Sequence, residues 1–147
     1  MIYAEDVNYW KTGKSAPGIW LDKTAAQIEK LGGRVLIKAE GLHPETGREA
    51  YMLGLEIEGE NYKVVWPVLP CYTQTQANER AAKVQAATML YHDVKARCVS
   101  AVVLGARQAF FSYYMLPDGR SVSSVSTPEL SEAVNQFFPP SLGTGQI

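Results

Sequence analysis

Apolar residues recur along this chain with two different periods. From Arg34 to Glu40, Val35, Ile37 and Ala39 alternate with Leu36, Lys38 and Glu40. From Tyr51 to Glu58, Tyr51, Leu53, Leu55 and Ile57 alternate with Met52, Gly54, Glu56 and Glu58. A period of two predicts strands with one face on a core. Glu58-Gly59-Glu60-Asn61 reads as a tight turn into a third strand, where Tyr62, Val64 and Trp66 continue the alternation. Pro67 and Pro70 cannot donate to a ladder, so pairing should fade there. The segment GLHPETGRE joins the first two strands as an exposed loop. Together these predict a three-stranded antiparallel meander.

The period then lengthens. From about Ala77 to Leu104 there is no glycine or proline, and Val84, Ala87, Tyr91, Val94, Cys98 and Ala101 step by three and four. That is the stripe of an amphipathic helix, with Gln85, His92, Asp93 and Ser100 largely on its other side and Gly105 as its stop. Such a helix runs about 42 Å, against about 17–20 Å for an average strand, so its far end needs another contact. Ahead of the meander, Asp22 reads as the N-cap of a short helix from about Lys23, with Ala25, Ile28 and Leu31 on one side and Gly32-Gly33 ending it. Residues 1–20, with Tyr3, Tyr9, Trp10 and Trp20, read as an arm tied down by its aromatics. After residue 105, AFFSYYML fits a hairpin strand or an extension of the long helix; the turn signal Pro117-Asp118-Gly119-Arg120 and the β-prone SVSSV favour the hairpin. Ser126 to Phe138 has the capping-box pattern of a last short helix, and 139–147 reads as a mobile tail. The expectation is one α+β domain over 1–147, with its helix–meander–long helix core at 21–105.

Composition narrows the function classes. The chain has 147 residues, 46% of them hydrophobic, and 14 basic against 15 acidic residues, so a polybasic protein is excluded while a local basic patch is not. Two cysteines and no apolar leader or membrane-length segment suit a cytoplasmic protein with no membrane partner. Cys71, Cys98, His43 and His92 lack the spacing of a metal site, and no Gly-x-Ser-x-Gly elbow or phosphate loop occurs. No cofactor is expected, and a non-enzymatic role is preferred. A site built around His92, Asp93 and Lys95 is the enzymatic alternative, weakened because neighbours on a helix point apart.

What stands out is charge asymmetry. Residues 79–120 hold Arg80, Lys83, Lys95, Arg97, Arg107 and Arg120 against Glu79, Asp93 and Asp118, whereas residues 40–60 hold six acids against Arg48. Cations along a helix can follow a phosphate backbone while tyrosine or tryptophan stacks on bases. The order short helix, meander, long helix over roughly 20–105, with the small residues and scattered cations of NERAAKVQAATMLYHDVKAR, resembles the ring-forming single-strand annealing proteins of recombination, including phage versions. That resemblance implies edge-to-edge association of copies and single-stranded DNA in a basic outer groove, on Arg80, Lys83, Lys95, Arg97 and Arg107. Self-association also follows from the two open edges of a three-stranded sheet and the overlong helix. The first expectation is therefore an oligomeric single-stranded nucleic-acid-binding protein. The alternative is a protein-binding module, a phage-type inhibitor or assembly factor, that presents Glu56, Glu58 and Glu60 to a host protein.

Overall fold

The structure, a computed structural model, describes residues 1–43 and 46–125. Its architecture is α+β. Helix α1 (Pro17–Lys30) leads into strands β1 (Arg34–Leu42), β2 (Glu49–Ile57) and β3 (Glu60–Pro67), and a long helix α2 (Gln76–Leu104) follows. One turn of helix, α3 (Ala106–Ala109), and 3-10 turns at Ala4–Asp6, Phe111–Tyr113 and Val122–Ser124 complete the described chain. The expected helix over 126–138 and the tail 139–147 lie outside the described residues.

The sheet is an antiparallel meander in the order β1-β2-β3. Leu53 faces Val64 and Leu55 faces Tyr62 across β2 and β3, and these four are buried with Tyr51 and Ile57 against the helices. The two-residue turn Glu58-Gly59 has positive φ at both positions (53° and 79°), the twist that suits a tight hairpin. Pairing ends at Pro67, as its missing N–H requires.

Strand β1 departs from simple alternation. A bulge between Val35 and Ile37 makes Leu36 the extra residue, which moves every later side chain to the opposite face. Val35 lies beside Leu55 on the core side, but Ile37 pairs with Gly54 on the outer face and is 52% exposed. Lys38 and Glu40 are thereby turned toward the helices. Lys38 reaches Asp22 of α1 at 2.5 Å, and Glu40 reaches Lys83 of α2 at 3.1 Å.

Asp22 is therefore not the N-cap of α1. The helix begins earlier, with Pro17 at its first turn and Ala16 as an N-cap that makes no side-chain bond. Proline suits that position because its missing N–H would have had no helical partner. Leu21, Thr24 and Ile28 form the buried side, and Gly32 (φ 95°) ends the helix. Gly33 is needed for close approach, since a Cβ there would lie 2.8 Å from the Glu56 carbonyl oxygen.

Helix α2 matches its expected limits. Thr75 caps it, its hydroxyl accepting from the Asn78 N–H at 3.1 Å, and Gly105 ends it. Its 29 residues span about 43 Å, and the sheet covers part of that length. The chain itself covers one flank of the far end: α3 packs back on α2, Phe110 is fully buried beside Tyr62, and the Tyr113 hydroxyl donates to Asp93 at 2.7 Å. Residues 106–113 are thus helical turns, neither a strand nor an extension of α2. The expected hairpin is reduced to its tip, with single bridges Tyr62–Tyr114 and Met115–Ser121 around the turn at Leu116–Arg120. Gln85, expected on the side away from the apolar stripe, is fully buried. Its amide donates to the carbonyls of Ala4, Val7 and Asn8, at 2.8, 3.1 and 3.0 Å, which pins the N-terminal arm along α2. Among the described residues no helix is long and apolar enough to cross a membrane.

Candidate nucleic-acid interface

The five cations singled out from the sequence have different surroundings. Lys83 lies between Glu40 (3.1 Å) and Glu49 (3.8 Å), and its bond to Glu40 holds the ammonium above lysine's usual range. The Arg97 Nε donates to Asp93 at 2.9 Å, another guanidinium nitrogen donates to the Ala109 carbonyl, and the group sits 4.3 Å over the Tyr113 ring. Arg107 binds both carboxylate oxygens of Glu60 through Nε, at 3.1 and 3.0 Å. These three are committed within the fold. Arg80 and Lys95 are exposed and make no ion pair among the described residues.

The acidic hairpin is similarly engaged. Glu56 binds Arg34 at 2.6 Å and Glu60 binds Arg107, which leaves Glu58, in the turn, without an ion pair among the described residues. The His92–Asp93 neighbourhood does not form a catalytic pair. Asp93 accepts from Tyr113 and Arg97, while His92 faces the arm. No group of three or more histidine, cysteine, aspartate or glutamate side chains among the described residues could hold a metal ion. Cys71 and Cys98 are free thiols, and burial pushes both up from their ordinary value.

A different constellation forms where the arm, α1 and α2 meet. The Tyr9 ring stacks on His92, with centroids 5.1 Å apart and planes 13° from parallel. Trp20 of α1 lies 6.1 Å from His92 and 5.3 Å from Tyr91. Two lysines flank this row: Lys23 sits 4.6 Å from the Trp20 centroid and Lys95 5.8 Å from Tyr91, while Lys11 lies 5.3 Å from the ring of Trp10, next to Tyr9 in the chain. Lys14 follows Gly13, where a Cβ would lie 3.5 Å from Val84, 3.8 Å from Trp20 and 3.9 Å from Thr88. All four lysines are exposed, and among the described residues none has a carboxylate partner.

The acids closest in sequence are turned away, which is why those charges stay uncompensated. Asp22 precedes Lys23 but binds Lys38. Asp93 follows His92 but binds Arg97 and Tyr113. Glu5 and Asp6 are held by the Tyr72 N–H and hydroxyl, while the Tyr3 ring stacks on Tyr72 at 3.9 Å.

The arm is also held in a costly shape. Tyr9 and Lys11 have φ of 70° and 55°, a region that costs a non-glycine residue on the order of 1–3 kcal/mol. Strain of that kind persists where surrounding contacts over-determine it, here the Gln85 bonds and the Tyr9–His92 stack. Of the cations read from the sequence, Lys95 alone belongs to this cluster. Tyr9, Trp10, Lys11, Lys14, Trp20, Lys23, Tyr91 and His92 were missed as a site. The visible signal was the alternation of aromatic and basic residues in YWKTGK and in IWLDK.

Compared with known proteins, the chain matches no family model, no curated protein and no solved structure.

Proposed function

We propose that this chain is a non-enzymatic, self-associating protein that binds single-stranded nucleic acid on the face formed by its arm, α1 and the middle of α2. The observation that carries the reading is the aromatic row Tyr9–His92–Trp20–Tyr91 bordered by Lys23 and Lys95, with Lys11 and Lys14 on the same arm as Tyr9 and none of the four lysines neutralised by a carboxylate among the described residues. Unpaired bases offer π-faces that stack on aromatic side chains whatever the sequence, at about 1–3 kcal/mol per base. Lysines spaced around the row neutralise the phosphates between them. A duplex hides its base faces, so the same surface favours single strands.

The order of elements that resembles the annealing proteins is the order found from Pro17 to Leu104. Strand annealing or protection is the role which that likeness adds to the reading. An acidic partner-binding surface has less to support it, since Glu56 and Glu60 are already paired.

Fluorescence anisotropy with a labelled oligodeoxynucleotide tests the proposal. Binding is expected at low salt, stronger for a single strand than for the same sequence as a duplex. If four phosphates are contacted, log K falls with log salt at a slope of roughly −3. Absence of binding at low salt, or equal affinity for the duplex, refutes it.

A further inference from the structure

The sheet has a second face, turned away from α1 and α2. On it Ile37 pairs with Gly54 and Gly54 with Lys63; in the next row Ala39 pairs with Met52 and Met52 with Val65. The Ile37 side chain leans on Gly54, where a Cβ would lie 3.3 Å from the Ile37 Cβ. Lys63 is the one charge in these two rows. Ala39, Met52, Lys63 and Val65 line a groove of about 630 Å³, whose other wall is Arg120, Ser121, Ser123 and Ser124. Leu42, also lining it, is 70% exposed. A cavity of about 150 Å³ takes one benzene-sized group, so the groove has room for about four.

We propose that residues 126–138 of the same chain lie across this face. Connectivity, pattern and charge select that occupant. The described chain ends at Val125, directly after the groove-lining Ser123 and Ser124. From there Ser126 to Leu130 can reach up to about 17 Å, whereas three strands are only about 10 Å across. After the capping-box pattern Ser126-Thr127-Pro128-Glu129, Leu130, Val134, Phe137 and Phe138 recur at steps of three and four. Helical spacing gathers these four apolar groups on one side, enough to fill the groove. The charges of 126–138 are Glu129 and Glu132 alone, so the segment is acidic. Lys63 makes no ion pair among the described residues, and Glu40, a carboxylate lining the groove, is held by Lys83. A short tether raises the segment's local concentration to about the millimolar range, which favours it over the same segment of a second copy. This inference does not rest on the strand-binding reading, whose arm, α1 and α2 surface belongs to the helix layer.

A nitroxide on Gln136→Cys, read through the amide NMR signals of the full chain, tests the proposal. Wild type treated with the same reagent controls for Cys71 and Cys98, both buried. The amide signals of Met52, Lys63 and Val65 should be lost, while those of the arm stay. Mixing a spin-labelled chain with an isotope-labelled, nitroxide-free chain should leave all signals intact. Loss in that mixture alone assigns the groove to a second copy's segment and overturns the proposal. No loss in either sample leaves the face to another occupant and overturns it too. Adding Val134→Ser and Phe137→Ser to the spin-labelled chain should bring the lost signals back, with unchanged arm signals reporting an intact fold. Equal loss in that variant shows mere nearness of a tethered segment, which also overturns the proposal. Lys63→Glu should weaken the quenching, and Glu129→Lys with Glu132→Lys in the same chain should restore it. Quenching indifferent to both changes overturns the charge match that selects this occupant.

Discussion

Two sets of cations in this molecule have opposite surroundings. On the sheet side, Lys83, Arg97 and Arg107 meet Glu40, Asp93 and Glu60: the first pair ties the first half of α2 to β1, the second lies within α2, and the third ties α3 to the start of β3. On the arm side, Lys11, Lys23 and Lys95 lie over aromatic rings, and no carboxylate among the described residues reaches them. A cation–π contact leaves the charge able to meet a phosphate, while a carboxylate partner largely cancels it. The lesson is that cation count along a helix says little about where a polyanion binds; the position of the acids decides it.

Charge reversal should separate the two sets most widely. Lys23→Glu with Lys95→Glu should lower single-strand affinity at low salt by roughly hundredfold or more, and make the salt slope shallower by about 2 × 0.7. Lys83→Glu with Arg107→Glu should leave strand affinity within about threefold, while lowering the unfolding midpoint because like charges then face Glu40 and Glu60. Equal losses of affinity from both pairs, read by anisotropy, would erase the distinction between the faces.

The arm gives the next test. Gln85→Ala removes the donor for the carbonyls of Ala4, Val7 and Asn8. Unsatisfied buried groups cost on the order of 1–3 kcal/mol, so chemical denaturation should show a loss of that size. Strand affinity should fall with it, because Tyr9 and Lys11 ride on the freed arm. A stable variant with an unchanged midpoint would show that the arm is held by its Tyr72 contacts alone. Smaller in effect, Tyr9→Ala should weaken strand binding near tenfold, about 1.4 kcal/mol, with the salt slope unchanged, since it removes a stacking surface and no charge.

These contrasts also show which parts of the molecule were legible in the sequence. The meander, its Glu58-Gly59 turn and the end of α2 at Gly105 depend on local chemistry, namely alternation, positive φ and the helix stop, and they were readable, whereas the Thr75 cap was not singled out. The start of α1 was not, because Asp22 is a good cap in isolation, while Pro17 had already begun the helix and Lys38 engaged the carboxylate. The face of Ile37 was hidden by one extra residue in β1. Gln85 looked like surface because its acceptors lie 77–81 residues away. The candidate site suffered most. Whether a lysine is free depends on where acids land in the folded chain, and Lys83 finds Glu40 through a bulge that no periodicity announces.

The smallest expected effect concerns the closed side and pH. Burial pushes the Cys98 thiol from 9.0 up to about 11, and burial together with Glu60 raises the Tyr62 hydroxyl from 10.0 to about 12. Both groups hold their protons more tightly folded than unfolded. Their contribution to stability is therefore complete below pH 9 and is lost as pH rises, through Cys98 between about 9 and 11 and through Tyr62 between about 10 and 12. Within each window one such group lowers stability by at most about 1.4 kcal/mol per pH unit. Cys98→Ala should make the decline in the lower window shallower, with Cys71 keeping part of it, and leave the upper one, where Tyr62 still titrates beside Phe110 and Tyr114. Denaturation midpoints at a series of pH values measure this. If the variant and wild type decline in parallel from pH 9, Cys98 is not shielded from water by α3, and the far end of α2 is open on both flanks.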